Sequence, residues 1–420
     1  LVPLSAAEAR EESEERRSGR HRRLFAHHDA WSYTFSFRPA TADDIRRELE
    51  PLRDTDFARI YWESGMGDRM YYPTKLGLTP VDDWFDDPYR TGDRLAAETW
   101  RIWRRDGIDP FCTALEYAHQ IGLEFHATYR PAGFHFPFPE DEWNRGGFYD
   151  RHPELRGRDR EGKATPRLSY AYPEVRQKVL EFLREMAQYP VDGICLAYNR
   201  RPPFVEYEAP VVDTFRQKYG QDPRKLDARD PRWLKHRAET LTTFMREVRA
   251  ALADEAARQK RKPFELTAIV MSTEQENLYQ AMDLAAWVQA GLVDTLVPYT
   301  SVPALKSTGQ SWVDPKQAEF FVRLTRGSKT RLALNLMPRV QPPEQFRTRA
   351  HGLYQAGAEY LFFWDTNARD DFSPSWSALR RLGHREELAE WARRGSPEFP
   401  RPHRKLRKMA DWDFRYDTPG

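Results

Sequence analysis

Eight short apolar runs, separated by amphipathic stretches, constrain the fold of this chain more than any other feature. Each run is rich in β-branched or aromatic residues and is bounded by Pro, Gly, Asn or Asp, as is typical of buried strands. We predict strands at Trp31–Phe37, Phe57–Trp62, Leu123–Tyr129, Val191–Tyr198, Phe264–Met271, Leu292–Tyr299, Arg331–Met337 and Tyr360–Trp364.

The segments between these runs predict helices. Thr41 can cap one helix, and Pro110 can open another that Gly122 ends. The predicted helices are Ala42–Leu52, Pro110–Ile121, Glu174–Gln188, Trp233–Arg258, Asp283–Ala290, Pro315–Thr325 and Pro343–Ala356. Strands that alternate with helices in this number predict a (β/α)8 TIM barrel. An open doubly wound sheet is disfavoured, because no glycine-rich phosphate loop follows any predicted strand.

Three connections are much longer than the others. They follow the second, third and fourth predicted strands, at about residues 63–109, 130–172 and 199–232. Aromatic residues make up 13% of the chain, and many of them lie in these connections. Connections that follow barrel strands lie at the C-terminal face, where barrel enzymes have their active sites. We therefore expect many of the rings at the mouth of the barrel.

The barrel is predicted to occupy residues 24–395, between two charged segments. Residues 1–23 mix acidic and basic side chains, and residues 396–420 form a basic tail. We interpret both as solvated termini. The chain starts with Leu1 rather than Met, which is consistent with removal of a leader.

Charge and composition argue against several classes of protein. The 66 Lys and Arg residues nearly balance the 64 Asp and Glu residues, so we expect no nucleic-acid partner. The chain contains no apolar run of about 18 residues, so we expect no membrane span. Two cysteines, Cys112 and Cys195, are too few for a disulfide framework or a thiolate zinc site.

Several motifs resemble those of bacterial glycosyl-hydrolase-like family 10 proteins. The resemblance extends over roughly residues 24–385. It rests on Val191-Asp192-Gly193-Ile194, Arg200, Phe215, Tyr219-Gly220, Met282-Asp283, Trp287, Gly291-Leu292-Val293-Asp294, Pro298-Tyr299 and Gln355-Ala356-Gly357-Ala358. It implies a barrel-shaped fold similar to that of glycoside hydrolases.

One position departs from the family pattern. Relatives often place an acidic residue three positions after the Ile of the Asp-Gly-Ile motif, where this chain has Ala197. A glycoside hydrolase that lacks this acid must use other carboxyl groups. The departure also supports an alternative, a non-catalytic barrel that binds carbohydrate.

Glycosidic cleavage commonly uses two carboxyl groups, which a barrel holds at the C-terminal ends of its strands. Glu63, Glu274 and Asp365 follow the second, fifth and eighth predicted strands. Glu274 is three strands from each of the other two, the same separation as between strands four and seven. We therefore predict catalysis by Glu274 with Asp365, or by Glu63 with Glu274, in the degradation of a poly- or oligosaccharide.

Other side chains near the strand ends are predicted to bind the sugar. Aromatic rings can stack on sugar rings, while amide, imidazole and guanidinium groups hydrogen-bond hydroxyl groups. Two arginines, Arg130 and Arg200, would also suit an acidic or sulfated sugar. The predicted binding residues are Trp62, Arg130, His135, Tyr198, Asn199, Arg200, Glu206, Tyr299, Asn335 and Trp364.

A metal-dependent hydrolase is the least favoured alternative, because no His-x-His motif follows the first predicted strand. His27-His28-Asp29 precedes that strand and is expected at the bottom or rim of the barrel. We predict no metal and no cofactor. Because enzymes that degrade polymers are often exported, we expect a secreted or periplasmic protein.

Overall fold

The computed structural model describes residues 21–29, 40–80, 91–134, 146–200, 202–299, 315–337, 341–366 and 373–394. The predicted strand Trp31–Phe37 lies outside these residues. So do the C-terminal tail and most of the N-terminal segment, 1–23.

Eight parallel strands form a closed barrel, which confirms the predicted (β/α)8 fold. They are β1 (Leu24–His28), β2 (Phe57–Met66), β4 (Glu124–Arg130), β7 (Gly193–Ala197), β8 (Glu265–Met271), β9 (Thr295–Tyr299), β10 (Arg331–Asn335) and β11 (Tyr360–Phe363). The short strand β3 (Arg69–Met70) pairs antiparallel with β2. Strands β5 (Arg156–Arg158) and β6 (Ala164–Leu168) form a separate hairpin in the connection after β4.

The helices cover the outside of the barrel. They are α1 (Ala42–Leu49), α2 (Thr91–Asp106), α3 (Pro110–Gln120), α4 (Phe148–Arg151), α5 (Pro173–Met186), α6 (Ala209–Tyr219), α7 (Pro231–Arg258), α8 (Glu274–Tyr279), α9 (Leu284–Gln289), α10 (Pro315–Thr325), α11 (Pro343–Gln355), α12 (Ser373–Leu379) and α13 (Arg385–Arg394). Thr41 caps α1 in a capping box with Asp44. None of the helices in the described ranges is long and apolar enough to cross a bilayer.

The first barrel strand is not where the sequence predicts it. Strand β1 is Leu24–His28, which pairs with β2 on one side and β11 on the other and is buried along its whole length. Two histidines make this run a weak strand signal, and its pairing on both sides comes from closure of the barrel. The expectation that His27-His28-Asp29 lies at the bottom is therefore wrong, because these residues end the strand at the C-terminal face.

The core has two layers because side chains alternate along each strand. Most buried apolar residues fill the space between the strands and the helices. A smaller set fills the inside of the barrel: Phe25, Tyr61, Cys195, Ala197, Ile269, Val297, Tyr299, Ala333, Phe362 and Trp364. This inner set identifies the residues of each strand that face the barrel axis.

An ion-pair network closes the N-terminal end of the barrel. The buried guanidinium of Arg59 donates to Glu124 from Nε, at 2.8 Å, and from Nη2 to both Glu124 and Glu265. Arg331 also donates to Glu265. This end of the barrel is held by paired charges, which leaves the opposite end as the place for a site.

Candidate functional site

Polar side chains converge at the C-terminal mouth of the barrel. Most of them lie two residues beyond an inner-core residue of the same strand, and the others end a strand or follow it within three residues. Strand β1 contributes His27 and is followed by Asp29. The other mouth residues are Glu63, Arg130, Asn199, Arg200, Tyr299, Asn335, Trp364 and Asp365.

Arg130 joins two of the mouth carboxyl groups. Its Nη2 atom donates to the carboxylate of Asp29 and to Oε2 of Glu63. The side chains are 9%, 12% and 0% exposed for Arg130, Asp29 and Glu63, respectively. One buried positive charge therefore faces two acids, which favours a proton on one of them.

Glu63 is the acid whose surroundings favour the protonated form. Burial raises its pKa well above the ordinary value of 4.5, and the charges of Asp29 and Asp365 act in the same direction. Arg130 and Arg200 oppose this rise without cancelling it. Glu63 is thus a buried carboxyl group with a raised pKa, as a general acid requires.

Asp365 lies two residues beyond the end of β11 and is almost fully buried at the mouth. Its backbone has φ 48°, in the left-handed region that residues other than Gly seldom adopt, although Asp tolerates it better than most. Its charge affects the pKa of both Glu63 and Arg200, so it belongs to the same electrostatic cluster. Such a conformation at an acidic residue is typical of functional sites.

Trp364 forms the floor of the mouth. The ring of His27 stacks on it with a centroid distance of 3.9 Å, and the ring of Tyr299 lies 5.0 Å away. The guanidinium carbon of Arg200 lies 4.7 Å from the Trp364 centroid and 5.8 Å from that of Tyr299. Trp364 and Tyr299 are fully buried by these contacts and others, so they position polar groups rather than offer a free face for stacking.

Three buried polar side chains at the mouth lack hydrogen-bond partners within the described residues. They are Asn199 and Asn335, with both amide atoms unbonded, and His27, with both ring nitrogens unbonded. Burial lowers the pKa of His27 well below 6.5, so its ring is neutral. Buried polar groups without partners are costly. Their clustering indicates a place for a polar ligand that supplies the missing bonds.

Two predicted binding residues lie outside the mouth. Trp62 packs between strands and helices, 6.2 Å from the ring of Phe125. Tyr198 also faces outward, with its hydroxyl 3.1 Å from Sδ of Met245 and its ring 5.5 Å from that of Trp287. Neither placement matches the predicted contact with sugar, because each residue is one position out of phase with the inward-facing set.

Two predicted acids lie away from the cluster, and one predicted residue is outside the described part. Glu274 is exposed at the start of α8, and its carboxylate makes no hydrogen bond or ion pair with any described residue. Glu206 lies in the connection after β7, where burial and the neighbouring Glu208 raise its pKa to about 7. His135 is not among the described residues.

His27 and Asp29 are mouth residues that the sequence analysis did not select. The available signal was a polar His-His-Asp sequence that directly ends an apolar run, Leu24-Phe25-Ala26. That pattern matches an acid at the end of a barrel strand, but the run was too short to be chosen over Trp31–Phe37.

One group of described side chains has the spacing of a metal site: Glu124, His126 and Glu265. It lies at the N-terminal end of the barrel. Arg59 already donates to both carboxylates, and its positive charge occupies the position that a cation would take. The donor set therefore does not fit a metal ion, and it is the ion-pair network that closes the barrel.

Comparison with known structures agrees with this architecture. The chain is similar to the glycoside hydrolase domain of PgaB (BpsB) from Bordetella bronchiseptica, with 14% identity and a TM-score of 0.54, over 86% of this chain and 98% of that one. It is also similar to α-L-fucosidase isoenzyme 2 from Paenibacillus thiaminolyticus, with 14% identity and a TM-score of 0.50, over 88% of this chain and 49% of that one. At these identities the likeness shows the fold. None of the curated proteins compared with the chain matches it.

The family assignment comes from the sequence. The model of the glycosyl hydrolase-like 10 family matches residues 87–319, which is more than half of the 420 residues. This range contains β4, β7, β8 and β9 of the barrel, together with Arg130, Asn199 and Arg200 of the mouth. The resemblance noted in the sequence is confirmed, and the chain belongs to the glycosyl hydrolase-like 10 family.

Proposed function

We propose that this protein is a glycoside hydrolase whose reacting groups are Glu63 and Asp365. The observation that carries the proposal is the convergence of three carboxyl groups at one end of the barrel. Glu63 lies within β2, while Asp29 and Asp365 follow the adjacent strands β1 and β11 by one and two residues. Family membership and the likeness to glycoside hydrolase folds support it.

The two carboxyl groups have different environments, as general acid catalysis requires. Glu63 is held protonated by burial and by its acidic neighbours, so it is the candidate proton donor to the leaving oxygen. Asp365 is the candidate nucleophile or base on the sugar. Asp29 is committed to Arg130, and this pairing keeps the guanidinium beside Glu63.

The substrate is proposed to be a carbohydrate polymer. Asn199 and Asn335 each offer a buried amide with a free donor and a free acceptor, the pairing that sugar hydroxyl groups require. The neutral imidazole ring of His27 also offers one donor and one acceptor. We also propose that the protein is secreted or periplasmic, where a polysaccharide too large to cross a membrane would be met.

A carbohydrate-binding barrel without catalysis is the second candidate. Ala197 favours it, because the inner end of β7 carries a methyl group at the position where relatives often have an acid. In that case the polar mouth would bind a sugar chain without cleaving it.

Turnover by the variants Glu63→Gln and Asp365→Asn tests the proposal. A panel of polysaccharides and aryl glycosides is screened first for release of reducing ends or of the aryl alcohol. On a substrate found in this way, each variant should lose roughly 10²–10⁴-fold in kcat, the usual contribution of a general acid or base. Asp254→Asn removes an exposed carboxylate from α7 and should retain full turnover.

The same assay separates the competing assignments. Loss of turnover in Glu274→Gln with normal turnover in Glu63→Gln would favour Glu274 with Asp365, one of the two pairs predicted from the sequence. If the protein binds a polysaccharide of the panel, and neither wild type nor variants cleave any substrate, the non-catalytic barrel is favoured.

A further inference from the structure

We infer that the polymer bound at this mouth carries negative charges, as uronate carboxylates or sulfate esters, and that Arg200 binds one of them. The inference rests on the proposed function, because it names the substrate class of the same site. The shared chemistry of the two sources is an anionic oxygen group on a sugar ring, which a planar guanidinium can bind through two hydrogen bonds.

Arg200 is a cation without an ionic partner at the centre of the mouth. It forms no salt bridge with any carboxylate of the described residues, and its Nε atom is buried without an acceptor. Its guanidinium carbon lies 4.7 Å from the centre of the Trp364 ring. Burial and the neighbouring charge of Arg130 lower the pKa of Arg200. An anionic ligand would supply both the missing acceptor and the missing charge.

Arg130 differs from Arg200 in this respect. Its guanidinium donates to Asp29 and Glu63. Among the described residues, Arg200 is affected by the charges of Asp29 and Asp365 without forming a salt bridge to either. An amino sugar would place a further positive charge beside Arg200, so an anionic sugar fits this position better.

The β5–β6 hairpin extends the positive charge beyond the barrel. Its basic residues, Arg156, Arg158, Arg160, Lys163 and Arg167, outnumber its two acids, Asp159 and Glu161. The first four of these basic residues form no salt bridge with a described carboxylate. A polymer with a charge on each repeat would gain from several such contacts at once.

The hairpin is attached to the connection that begins at Arg200. The backbone N–H of Tyr207 donates to the carbonyl of Arg158 at 2.9 Å. The N–H of Arg158 in turn donates to Oε1 of Glu208 at 3.2 Å. The hairpin follows β4 and the connection follows β7, neighbouring strands of the barrel, so both lie at the C-terminal face. The basic hairpin is thus held against the connection that leads away from the mouth.

Binding by the full-length Glu63→Gln variant tests this inference without requiring cleavage. The probes are two matched pairs, polygalacturonate with its methyl ester and dextran sulfate with dextran, measured by calorimetry at two salt concentrations. We expect one charged polymer to bind about tenfold more tightly than its neutral partner, because a hydrogen bond to a charged group is worth roughly one factor of ten or more. The pair that shows the difference identifies carboxylate or sulfate as the charge.

Arg200→Gln in the same background should lose about tenfold in affinity for that polymer. Arg200→Lys, which retains the charge but not the planar group, should lose less. Arg326→Gln is the matched control, because Arg326 is exposed after α10, at the opposite end of the barrel. Thermal melting of each variant confirms that it is folded.

Three results would overturn the inference. They are equal binding of charged and neutral partners, equal losses in Arg200→Gln and Arg326→Gln, and no binding of either charged polymer. Each would leave the proposed hydrolase intact if Glu63→Gln still abolished cleavage of a neutral substrate. Conversely, charge-dependent binding without cleavage of any sugar would support the inference while contradicting the proposed catalysis.

Discussion

The substitution Glu63→Gln should change how the stability of the fold depends on pH. In the folded protein Glu63 is fully buried, and burial, with Asp29 and Asp365, raises its pKa well above 4.5. In the unfolded chain the same carboxyl group is in water and ionises above about pH 4.3. Between these two pKa values, unfolding therefore releases one proton from Glu63.

The sign follows from this proton. The contribution of a group with a raised folded pKa is fully present below the unfolded pKa and is lost as the pH rises through the folded pKa. One proton corresponds to about 1.4 kcal/mol per pH unit. For 420 residues the entropy of unfolding is about 0.9 kcal/mol/K, so the melting temperature changes by about 1.6 °C per pH unit.

Melting curves of the wild type and of Glu63→Gln, recorded between about pH 5 and pH 7 at constant ionic strength, measure this effect. The melting temperature of the variant should rise relative to wild type across this interval, by about 1.6 °C for each pH unit below the folded pKa of Glu63. Asp254→Asn removes an exposed carboxylate, and its melting temperature should change with pH as that of the wild type does. If the melting temperature of Glu63→Gln also changed with pH as that of the wild type does, Glu63 would be ionised in the folded state and would not be the proton donor.

Other predictions concern the scaffold. Gly193→Ala should lower the free energy of unfolding, measured by urea denaturation, by about 1–3 kcal/mol. The added Cβ would lie 2.5 Å from the carbonyl oxygen of Glu265, and such overpacking is costly. Gly352→Ala, in a helix with no atom within 4 Å of the added Cβ, should raise the free energy of unfolding by about 0.5–1 kcal/mol. Equal changes in Gly193→Ala and Gly352→Ala would contradict the close packing around Gly193. Arg59→Met should lower the free energy of unfolding by about 2–3 kcal/mol. This is less than the loss expected on breaking a fully buried ion pair, because the side chains of Glu124 and Glu265 are 44% and 32% exposed. Unchanged stability would show that the network does not hold the barrel. Treatment with EDTA should leave turnover unchanged, and a loss that Zn²⁺ or Ca²⁺ restores would show a metal requirement.

The strands that the sequence located correctly share one property. Runs such as Phe57–Trp62 and Phe264–Met271 are mostly apolar and are longer than the apolar run Leu24-Phe25-Ala26, so their local signal is sufficient. Strand β1 lacks that signal because His27 and His28 interrupt it. Its stability comes from pairing with β2 and β11, which are distant in sequence.

The direction of individual side chains was harder to predict. Period-two alternation requires Tyr61 and Trp62 to face opposite ways, but both faces of a barrel strand are buried. Both residues are large and aromatic, so the sequence gives no preference for which one faces inward. In the structure Tyr61 faces the barrel axis and Trp62 faces the helices. Position next to a strand end therefore does not by itself place a ring at the mouth.

The sequence by itself determined the alternation of strands and helices, and with it the barrel and the family. Only the tertiary structure decided which acids meet. It joined Asp29 to Glu63 through Arg130 and left Glu274 exposed. Local patterns specify elements, whereas the protonation and pairing of a carboxyl group depend on charges and burial contributed by residues far apart along the chain.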